Sequence, residues 1–178
     1  MTRWTVLPER FDTSDATALR RDYYADVAGS YWGRPTTEAE IDEGLADDGV
    51  ARLASPTGEF VVGRHDGAAA ACGGVLLLDA ERAELTRVFV RPAFRGTGGG
   101  AALLTALEDA AGRLGARRMV LNTRLDLLGA RALYARQGYR EIPAYCVGPY
   151  MDVWYGKELV DRDGAAIEGD AAEGDAAA

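Results

Sequence analysis

The feature that most constrains the fold is a glycine-rich segment at residues 95–100, which carries four glycines. It lies between the apolar run 85–90 and a run of helical character at 101–114. Because glycine has no Cβ atom, successive backbone N–H groups can approach an anion at the positive end of a helix. We therefore predict a strand, a phosphate-binding loop and a helix in this order, with a phosphorylated cofactor as the ligand.

Two common kinds of glycine loop fit this segment poorly. A nucleoside-triphosphate P-loop needs Lys followed by Ser or Thr after its last glycine, but Gly100 is followed by two alanines. The dinucleotide-binding pattern matches residues 96–101 by letters alone. Its strand should lead directly into the loop and its next strand should end in an acid. Here residues 91–95 intervene, and the next predicted strand, 118–123, ends in Asn-Thr.

Two motifs resemble signatures of the GNAT family of N-acetyltransferases. Residues 84–104 look like the acetyl-CoA-binding core of that family, and Arg95, Gly98 and Gly100 fill its loop pattern Arg/Gln-x-x-Gly-x-Gly/Ala. Residues 130–139 are similar to the second signature, Ala-x-x-Leu-Tyr-x-x-x-Gly-Phe/Tyr. Two signatures in the expected order are far more specific than a single glycine loop. The clear resemblance covers residues 72–139.

The resemblance implies an α/β fold of the GNAT type. Such a fold has a mixed, mostly antiparallel sheet with one parallel, splayed strand pair, and helices flank the sheet. The residue pattern agrees on the parallel pair, because a helix between the strands 84–90 and 118–123 requires a crossover connection. The resemblance adds a bulge in the strand 84–90 that separates it from the strand 118–123.

Start and stop signals predict the remaining elements. A first helix follows the capping cluster 13–15 and runs to about residue 28, and a capping box at 37–40 starts a second helix. Asp66-Gly67 predicts a hairpin turn. Asp126 is expected to cap a short helix that ends at Gly138. Further strands are predicted at 4–7, 59–64, 69–78, 139–142 and 152–159.

The resemblance names acetyl-CoA as the co-substrate and implies two sets of contacts for it. The pantetheine arm is expected between the splayed strands, hydrogen-bonded to main-chain groups of Val88, Phe89 and Val90. Arg95 adds a positive charge at the mouth of the glycine loop. The pyrophosphate is expected on N–H groups of Gly96, Thr97, Gly98, Gly99, Gly100 and Ala101. An ordinary flexible loop is the alternative interpretation of the segment.

Acetyl transfer to an amine needs a neutral nitrogen, a donor for the developing oxyanion and a proton for the departing thiolate. By resemblance, Glu84 matches the glutamate proposed as the base, and Tyr134 matches the tyrosine that protonates the sulfur. A backbone N–H near Phe89 or Val90 would polarise the acetyl carbonyl. From the residues alone, Glu84 can equally be a solvated strand-edge charge, and Tyr134 a half-buried helix aromatic. Leu127 replaces an asparagine with which many relatives contact the cofactor, so that contact is not transferred.

The acceptor is expected among the first two helices and the late strands, which supply aromatic residues and arginines. The candidate contacts are Tyr31, Trp32, Arg34 and Arg87, with further aromatics at positions 23, 24, 145, 150 and 154. Aromatic rings can enclose a cation, and an arginine can hold a carboxylate. This clustering favours a small-molecule amine or amino acid over a protein N-terminus or lysine. A homodimer surface, a non-catalytic acyl-CoA-binding module and a nucleotide-binding regulator stay open as alternatives.

Length and composition indicate one catalytic domain at residues 1–160 and an acidic segment at 161–178 that we expect to be mobile. That segment holds six acids and one arginine, which contribute −5 to the formal net charge of −8. We expect no nucleic-acid partner, no membrane span and no metal site, because the chain lacks a basic stripe, a run of roughly 18 apolar residues and clustered ligands. Two scattered cysteines and the absence of a signal-peptide core predict a cytoplasmic protein. The Ala, Gly, Arg and Asp content is typical of a GC-rich bacterial genome.

Overall fold

The computed structural model describes residues 3–159, in which four α-helices flank one seven-stranded sheet. The helices are α1 (Ser14–Trp32), α2 (Glu38–Ala46), α3 (Gly99–Arg113) and α4 (Leu128–Arg136). The strands are β1 (Trp4–Pro8), β2 (Gly58–His65), β3 (Ala68–Leu77), β4 (Arg82–Val90), β5 (Arg118–Thr123), β6 (Arg140–Ile142) and β7 (Val153–Glu158). The predicted acidic segment 161–178 lies outside the described residues.

The sheet has the strand order β1-β2-β3-β4-β5-β7-β6. Its neighbouring strands are antiparallel, except that β4 and β5 run parallel and are joined by α3 as a crossover. β7 inserts between β5 and β6, so β7 lies inside the sheet and β6 at its edge. The predicted fold class, a mixed and mostly antiparallel sheet with one parallel pair, is confirmed.

The parallel pair is splayed. β4 pairs with β5 only through residues 82–84, opposite residues 118–120. Both strands continue beyond this pairing, β4 to Val90 and β5 to Thr123. A gap therefore opens between their carboxyl-terminal halves.

A bulge in β4 accompanies the gap. Cys72 of β3 pairs with Phe89, whereas Gly74, two residues further along β3, pairs with Thr86. β4 thus carries one extra residue between these pairs, and Arg87 there adopts a left-handed φ of 54°. An extra residue bends a strand and increases its local twist. The bulge that the family resemblance implied is present, and it turns β4 away from β5.

Each face of the sheet has its own hydrophobic core. α3 and α4 contribute to one core, in which Leu103, Leu104 and Leu107 are completely buried, as predicted. α1 contributes to the other core through Ala16 and Leu19, and α2 packs against α1. The gap between β4 and β5 therefore lies between two packed layers that hold its walls in position.

The helix α1 is longer than predicted. It continues to Trp32 and ends at Gly33, whose φ of 66° suits the left-handed C-cap position. The predicted end near residue 28 missed this last turn because Gly29 and Ser30 are poor helix formers that tertiary contacts keep helical. The added turn carries Tyr31 and Trp32 towards the gap.

The starts of the two shorter helices show one confirmed and one wrong prediction. α2 begins with a complete capping box between Thr37 and Glu40, as predicted. α4 begins at Leu128 without a side-chain cap, so the prediction that Asp126 caps it is wrong. The Asp126 carboxylate instead accepts hydrogen bonds from the guanidinium of Arg124, a partner that local helix rules do not consider.

Residues 3–159 contain neither a membrane-spanning helix nor a cluster of metal-binding side chains. No helix in this range is both long and apolar enough to cross a bilayer. No group of three or more His, Cys, Asp or Glu side chains in it could hold a metal ion. Both cysteines are free thiols, and burial raises the pKa of Cys72 to about 12, so that thiol stays protonated.

Candidate active site

A cleft of about 380 Å³ opens where β4 and β5 separate. Residues 84–88 of β4 form one wall, and the last turns of α1 form another. The end of β5, the start of α4 and residues 149–151 before β7 complete the lining. Both predicted catalytic residues, Glu84 and Tyr134, are among the lining residues.

The loop before α3 uses its four glycines in two ways. Gly96 and Gly98 have φ values of 78° and 95°, and a Cβ atom at either position would face open space. A Cβ atom on Gly99 would lie 2.4 Å from the Trp4 ring, and one on Gly100 would lie 2.8 Å from a leucine of α4. Two glycines therefore make the left-handed turns and leave room beside the backbone. The other two let β1 and α4 pack closely on α3.

The first turn of α3 offers main-chain donors. Gly98 is the N-cap residue and no side chain caps the helix. The N–H groups of the next three residues have no acceptor within the helix, because the first turn of any helix lacks one. Thr97 fixes the loop: its hydroxyl donates to the Phe94 carbonyl at 2.6 Å, and Trp4 Nε1 donates to the Thr97 carbonyl at 3.1 Å. A held loop with free N–H groups at a helix N-terminus can stabilise a phosphate.

Arg95 is already engaged at the mouth of the loop. Its Nη2 donates to Asp26 of α1 at 3.0 Å, and its Nε donates to the Val90 carbonyl at 3.0 Å. Arg95 and Asp26 are about half exposed. A surface ion pair of this kind contributes at most about 1 kcal/mol, so a phosphate can replace Asp26 as the partner.

Each main-chain N–H and carbonyl group of β4 faces either β3 or the gap. The Arg91 N–H, just beyond the strand, donates to the Ala70 carbonyl of β3 at 2.9 Å. Because these groups alternate sides along a strand, those of Phe89 also face β3, whereas those of Val88 and Val90 face the gap. Of the three residues predicted to contact pantetheine through the main chain, Val88 and Val90 thus have main-chain groups on the side of the gap, and Phe89 does not.

Glu84 is the last residue of β4 that pairs with β5. The Tyr145 hydroxyl donates to Glu84 Oε2 at 2.7 Å, and Asn122 Nδ2 lies 3.5 Å from the same hydroxyl. Burial, followed by the hydrogen bond to Glu84, raises the pKa of Tyr145 well above its ordinary value, so this phenol remains a donor. Glu84 is therefore a carboxylate oriented by a second side chain at the edge of the cleft. The sequence analysis grouped Tyr145 with the acceptor aromatics and did not connect it to Glu84.

Tyr134 of α4 is only 7% exposed and lines the cleft. Its ring packs against those of Tyr139 and Tyr155, with centroid distances of 5.9 Å and 6.0 Å. Burial raises the pKa of Tyr134 well above the ordinary tyrosine value. The phenol is therefore neutral and available as a hydrogen-bond donor throughout the physiological pH range.

The predicted acceptor residues do not all reach the cleft. Those that line it are Tyr31, Trp32 and Arg87. Tyr31 lies edge-on to Tyr150, with ring centroids 4.8 Å apart. The Arg34 guanidinium instead binds both carboxylate oxygens of Glu40, at 3.1 Å and 2.6 Å, and this contact lowers the pKa of Glu40 to about 2. Arg34 thus joins the end of α1 to the start of α2.

Arg124, which the sequence analysis did not single out, ties α1 to the end of β5. Its side chain is 6% exposed. Its Nε donates to Asp126 at 2.8 Å, and its Nη1 donates to the Val27 carbonyl of α1 at 3.0 Å. No local signal could have revealed this role, because Val27 lies 97 positions away in the sequence.

The gap, the glycine loop and Tyr134 all fall within one family match. The sequence model of the Acetyltransferase (GNAT) family matches residues 17–139. The chain belongs to this family.

Individual relatives and solved structures support the family match. The "IAA acetyltransferase" of Azospirillum brasilense is 33% identical over 99 residues, which cover 55% of this chain and 63% of that relative. A Klebsiella pneumoniae structure, provisionally described as an acyl-CoA N-acyltransferase, gives a TM-score of 0.66 at 27% identity and covers 88% of this chain and 97% of its own. A GNAT acetyltransferase from Elizabethkingia anophelis, solved with acetyl-CoA bound, gives 0.60 at 19% identity and covers 88% and 98%. The chain shares its fold with proteins that bind acetyl-CoA.

The cleft and the glycine loop have features that fit acetyl-CoA. Main-chain groups of Val88 and the N–H of Val90 face the gap, where an extended pantetheine arm can bond them as a strand would, while the Val90 carbonyl accepts from Arg95 Nε. Space beside Gly96 and Gly98 lies next to the N-terminus of α3, where a pyrophosphate finds N–H donors. The residues present therefore fit the co-substrate at both of its polar regions.

Proposed function

We propose that the chain is an N-acetyltransferase that moves the acetyl group of acetyl-CoA to a primary amine of a small molecule or amino acid, by direct attack in a ternary complex. The observation that supports this best is that Glu84 and Tyr134 line one cleft at the gap between β4 and β5. A base and an acid on the walls of one cleft can serve the two proton transfers of a single displacement.

Glu84 has the role of base. An alkylammonium ion has a pKa of about 10.4, so the amine must lose a proton before it attacks. Glu84 accepts that proton directly or through water, while Tyr145 holds its Oε2 from the other side at 2.7 Å. The hydrogen bond fixes the direction of the carboxylate.

Tyr134 has the role of donor to the departing sulfur. A thiol has a pKa of about 8.5, below the ordinary tyrosine value of about 10. Because burial raises the pKa of Tyr134 further, complete proton transfer to the thiolate is uphill by more than about 2 kcal/mol. Tyr134 therefore assists mainly by a hydrogen bond to the developing negative charge.

The acceptor side of the cleft supports a small amine. Tyr31 and Trp32 at the end of α1 and Tyr150 before β7 border it, and aromatic rings can hold a flat or cationic group. The Tyr31 and Tyr150 rings touch across the cleft mouth, which narrows access for a folded protein surface. A protein N-terminus or lysine is thus the second candidate.

Initial-rate kinetics test the proposal. Thiol release from acetyl-CoA is measured with amino acids, alkylamines, polyamines, a peptide with a free N-terminus and a lysine peptide, and products are identified by mass. Turnover of a small amine with intersecting double-reciprocal lines is expected. Parallel lines would contradict direct attack, and turnover of peptides alone would favour the second candidate. Calorimetric binding of acetyl-CoA with no turnover of any acceptor would indicate a non-catalytic acyl-CoA-binding module.

A further inference from the structure

The charged side chains of the cleft point to the chemistry of its acceptor. In the described chain, three charged residues line it: Glu84, Arg87 and Arg124. Arg124 is neutralised by Asp126 and also bonded to the Val27 carbonyl. The charged groups of the cleft that can bind a ligand are therefore the Glu84 carboxylate and the Arg87 guanidinium, which lie three positions apart on β4.

A second cavity of about 250 Å³ adjoins the cleft at Arg87. In its wall the Asp48 carboxylate meets two guanidinium groups, with Arg20 Nη2 at 2.9 Å and Arg87 Nε at 3.7 Å. Apart from Glu84, Asp48 is the only acid among the described residues that line either cavity. Two cations and one anion leave one positive charge in excess, and their side chains are all at least four-fifths buried.

The backbone holds Arg87 in an unusual way. Its φ of 54° lies in the left-handed region, which is unfavourable for a residue with a Cβ atom. Strain of this kind is often found at binding sites, where it directs a side chain. Arg87 Nη2 donates to the Asp48 carbonyl. Since 3.7 Å is too long for a hydrogen bond between its Nε and the Asp48 carboxylate, the guanidinium keeps donors for another carboxylate.

We propose that Arg87 binds a carboxylate of the acceptor, and that the acceptor is an amino acid with an aromatic or other apolar side chain. This inference rests on the proposed N-acetyltransferase function. A zwitterion satisfies both free charges, with its amine at Glu84 and its carboxylate at Arg87. The apolar side chain packs against the tyrosines that border the cleft, which include Tyr23, Tyr24 and Tyr31. A polyamine would bring a second cation towards Arg87, and a simple alkylamine would leave Arg87 without a partner.

Matched substrate pairs test the carboxylate. Each pair differs only by that group: phenylalanine and 2-phenylethylamine, tryptophan and tryptamine, leucine and 3-methylbutylamine. We expect kcat/KM to favour the amino acid by about tenfold to hundredfold in at least one pair, the range for a hydrogen bond to a charged group. Equal or reversed preference in every pair overturns the inference and leaves the N-acetyltransferase function standing. Absence of turnover for all three amino acids, in protein that acetylates another amine, also overturns it.

Arginine variants test the assignment to Arg87. In Arg87→Met the preference for the amino acid should fall to within about threefold of unity. The matched control is Arg113→Met, which removes an arginine paired to Glu59 at 2.7 Å at the end of α3. The control should keep the wild-type preference. A preference that survives Arg87→Met, in protein that still binds acetyl-CoA, overturns the role of Arg87. If Arg87→Met does not fold, Arg87→Lys, which keeps the charge but not the planar fork, should give an intermediate preference.

A binding measurement separates this inference from the proposed catalysis. 3-Phenylpropionate has the ring and the carboxylate of phenylalanine but no amine to acetylate. Calorimetry in the presence of CoA should show that it binds the wild-type protein and the Arg113→Met control. Binding at least about tenfold weaker in Arg87→Met supports the carboxylate site even if no acetyl transfer is detected. Equal affinity in all three proteins, or no binding to the wild type, overturns it.

Discussion

The two sides of the cleft are built in different ways. The side on which we propose that acetyl-CoA binds, the co-substrate side, is a continuous segment from β4 through the glycine loop to α3, and most of the ligand groups it offers belong to the main chain. The proposed acceptor side joins the end of α1 to the segment before β7, and it offers side chains such as Tyr31 and Tyr150, each 55% exposed. Main-chain donors and acceptors are the same whichever side chains are present. A surface made of side chains changes its chemistry when those residues change.

The acceptor side also depends on contacts between distant segments. Arg124 at the end of β5 holds the last turns of α1 through the Val27 carbonyl. Tyr145, between β6 and β7, holds Glu84 of β4. Glu84 and the proposed acceptor walls are thus positioned by contacts between distant segments, whereas the glycine loop is fixed largely by its neighbours in sequence and by Trp4.

The largest effect should come from Glu84→Gln, which removes the proposed base and leaves the main-chain groups of the co-substrate side in place. We expect kcat/KM to fall by about 10²–10⁴-fold, the usual contribution of a general base. Acetyl-CoA affinity, measured by calorimetry, should change by less than about threefold. A parallel loss of acetyl-CoA affinity would show that the two sides are not separable.

The next test compares the two ends of α3. Gly98 and Gly115 have φ values of 95° and 96°, and a Cβ atom on either would meet nothing within 4 Å. Alanine at either position should therefore cost the same backbone strain, roughly 1–2 kcal/mol of stability. Only Gly98→Ala should weaken acetyl-CoA binding, by about tenfold to hundredfold, because its methyl group lies where the pyrophosphate is expected. Equal affinities of the two variants in calorimetry would place the phosphates elsewhere.

A second pair of glycines on α3 tests how packing against β1 affects stability when no ligand is bound. Gly99→Ala forces a methyl group against the Trp4 ring and should lower the free energy of unfolding by about 1–3 kcal/mol. Gly112→Ala, on the same helix and with nothing within 4 Å, should raise it by roughly 0.5–1 kcal/mol. Denaturant titration of both variants measures the difference. If Gly99→Ala were as stable as Gly112→Ala, the contact between β1 and α3 would not fix the loop.

Tyr134→Phe should lower kcat by roughly tenfold, less than most general acids, because a thiolate is already a good leaving group. Since the pKa of Tyr134 is raised, the phenol keeps its proton as the pH rises to 10. Below pH 10, the wild-type rate should therefore show no decrease with rising pH that is absent from Tyr134→Phe. A decrease seen only in the wild-type pH–rate profile would contradict the assignment of a neutral donor.

The smallest effect should come from Tyr145→Phe, which removes the hydrogen bond that orients the Glu84 carboxylate. We expect kcat/KM to fall by a few fold at pH 7, with KM for acetyl-CoA unchanged. The matched control is Tyr139→Phe, on the α4 side of the sheet, which should keep the wild-type kcat/KM. An unchanged kcat/KM in Tyr145→Phe would mean that this hydrogen bond does not position Glu84 for the reaction.

The strand, the glycine loop and the helix of the co-substrate side could be predicted from the sequence because their determinants are local. Glycines that permit left-handed turns, an apolar strand before them and a helix after them all lie between residues 84 and 114. The two family signatures extend this prediction to the fold class and to Tyr134. The wrong predictions of element boundaries also came from local rules. The predicted cap at Asp126 and the early end of α1 follow from rules that do not include partners such as Arg124.

The sequence by itself determined the order of strands and helices, the parallel crossover and the glycine loop. These depend on backbone preferences and hydrophobic spacing over a few residues. Only the tertiary structure decided that Tyr145 bonds to Glu84 and that Arg124 bonds to α1. It also decided that Arg87 lines the cleft and that Arg34 does not. Such contacts join residues up to 97 positions apart, and they depend on the bulge in β4 and the insertion of β7, which determine which segments are neighbours.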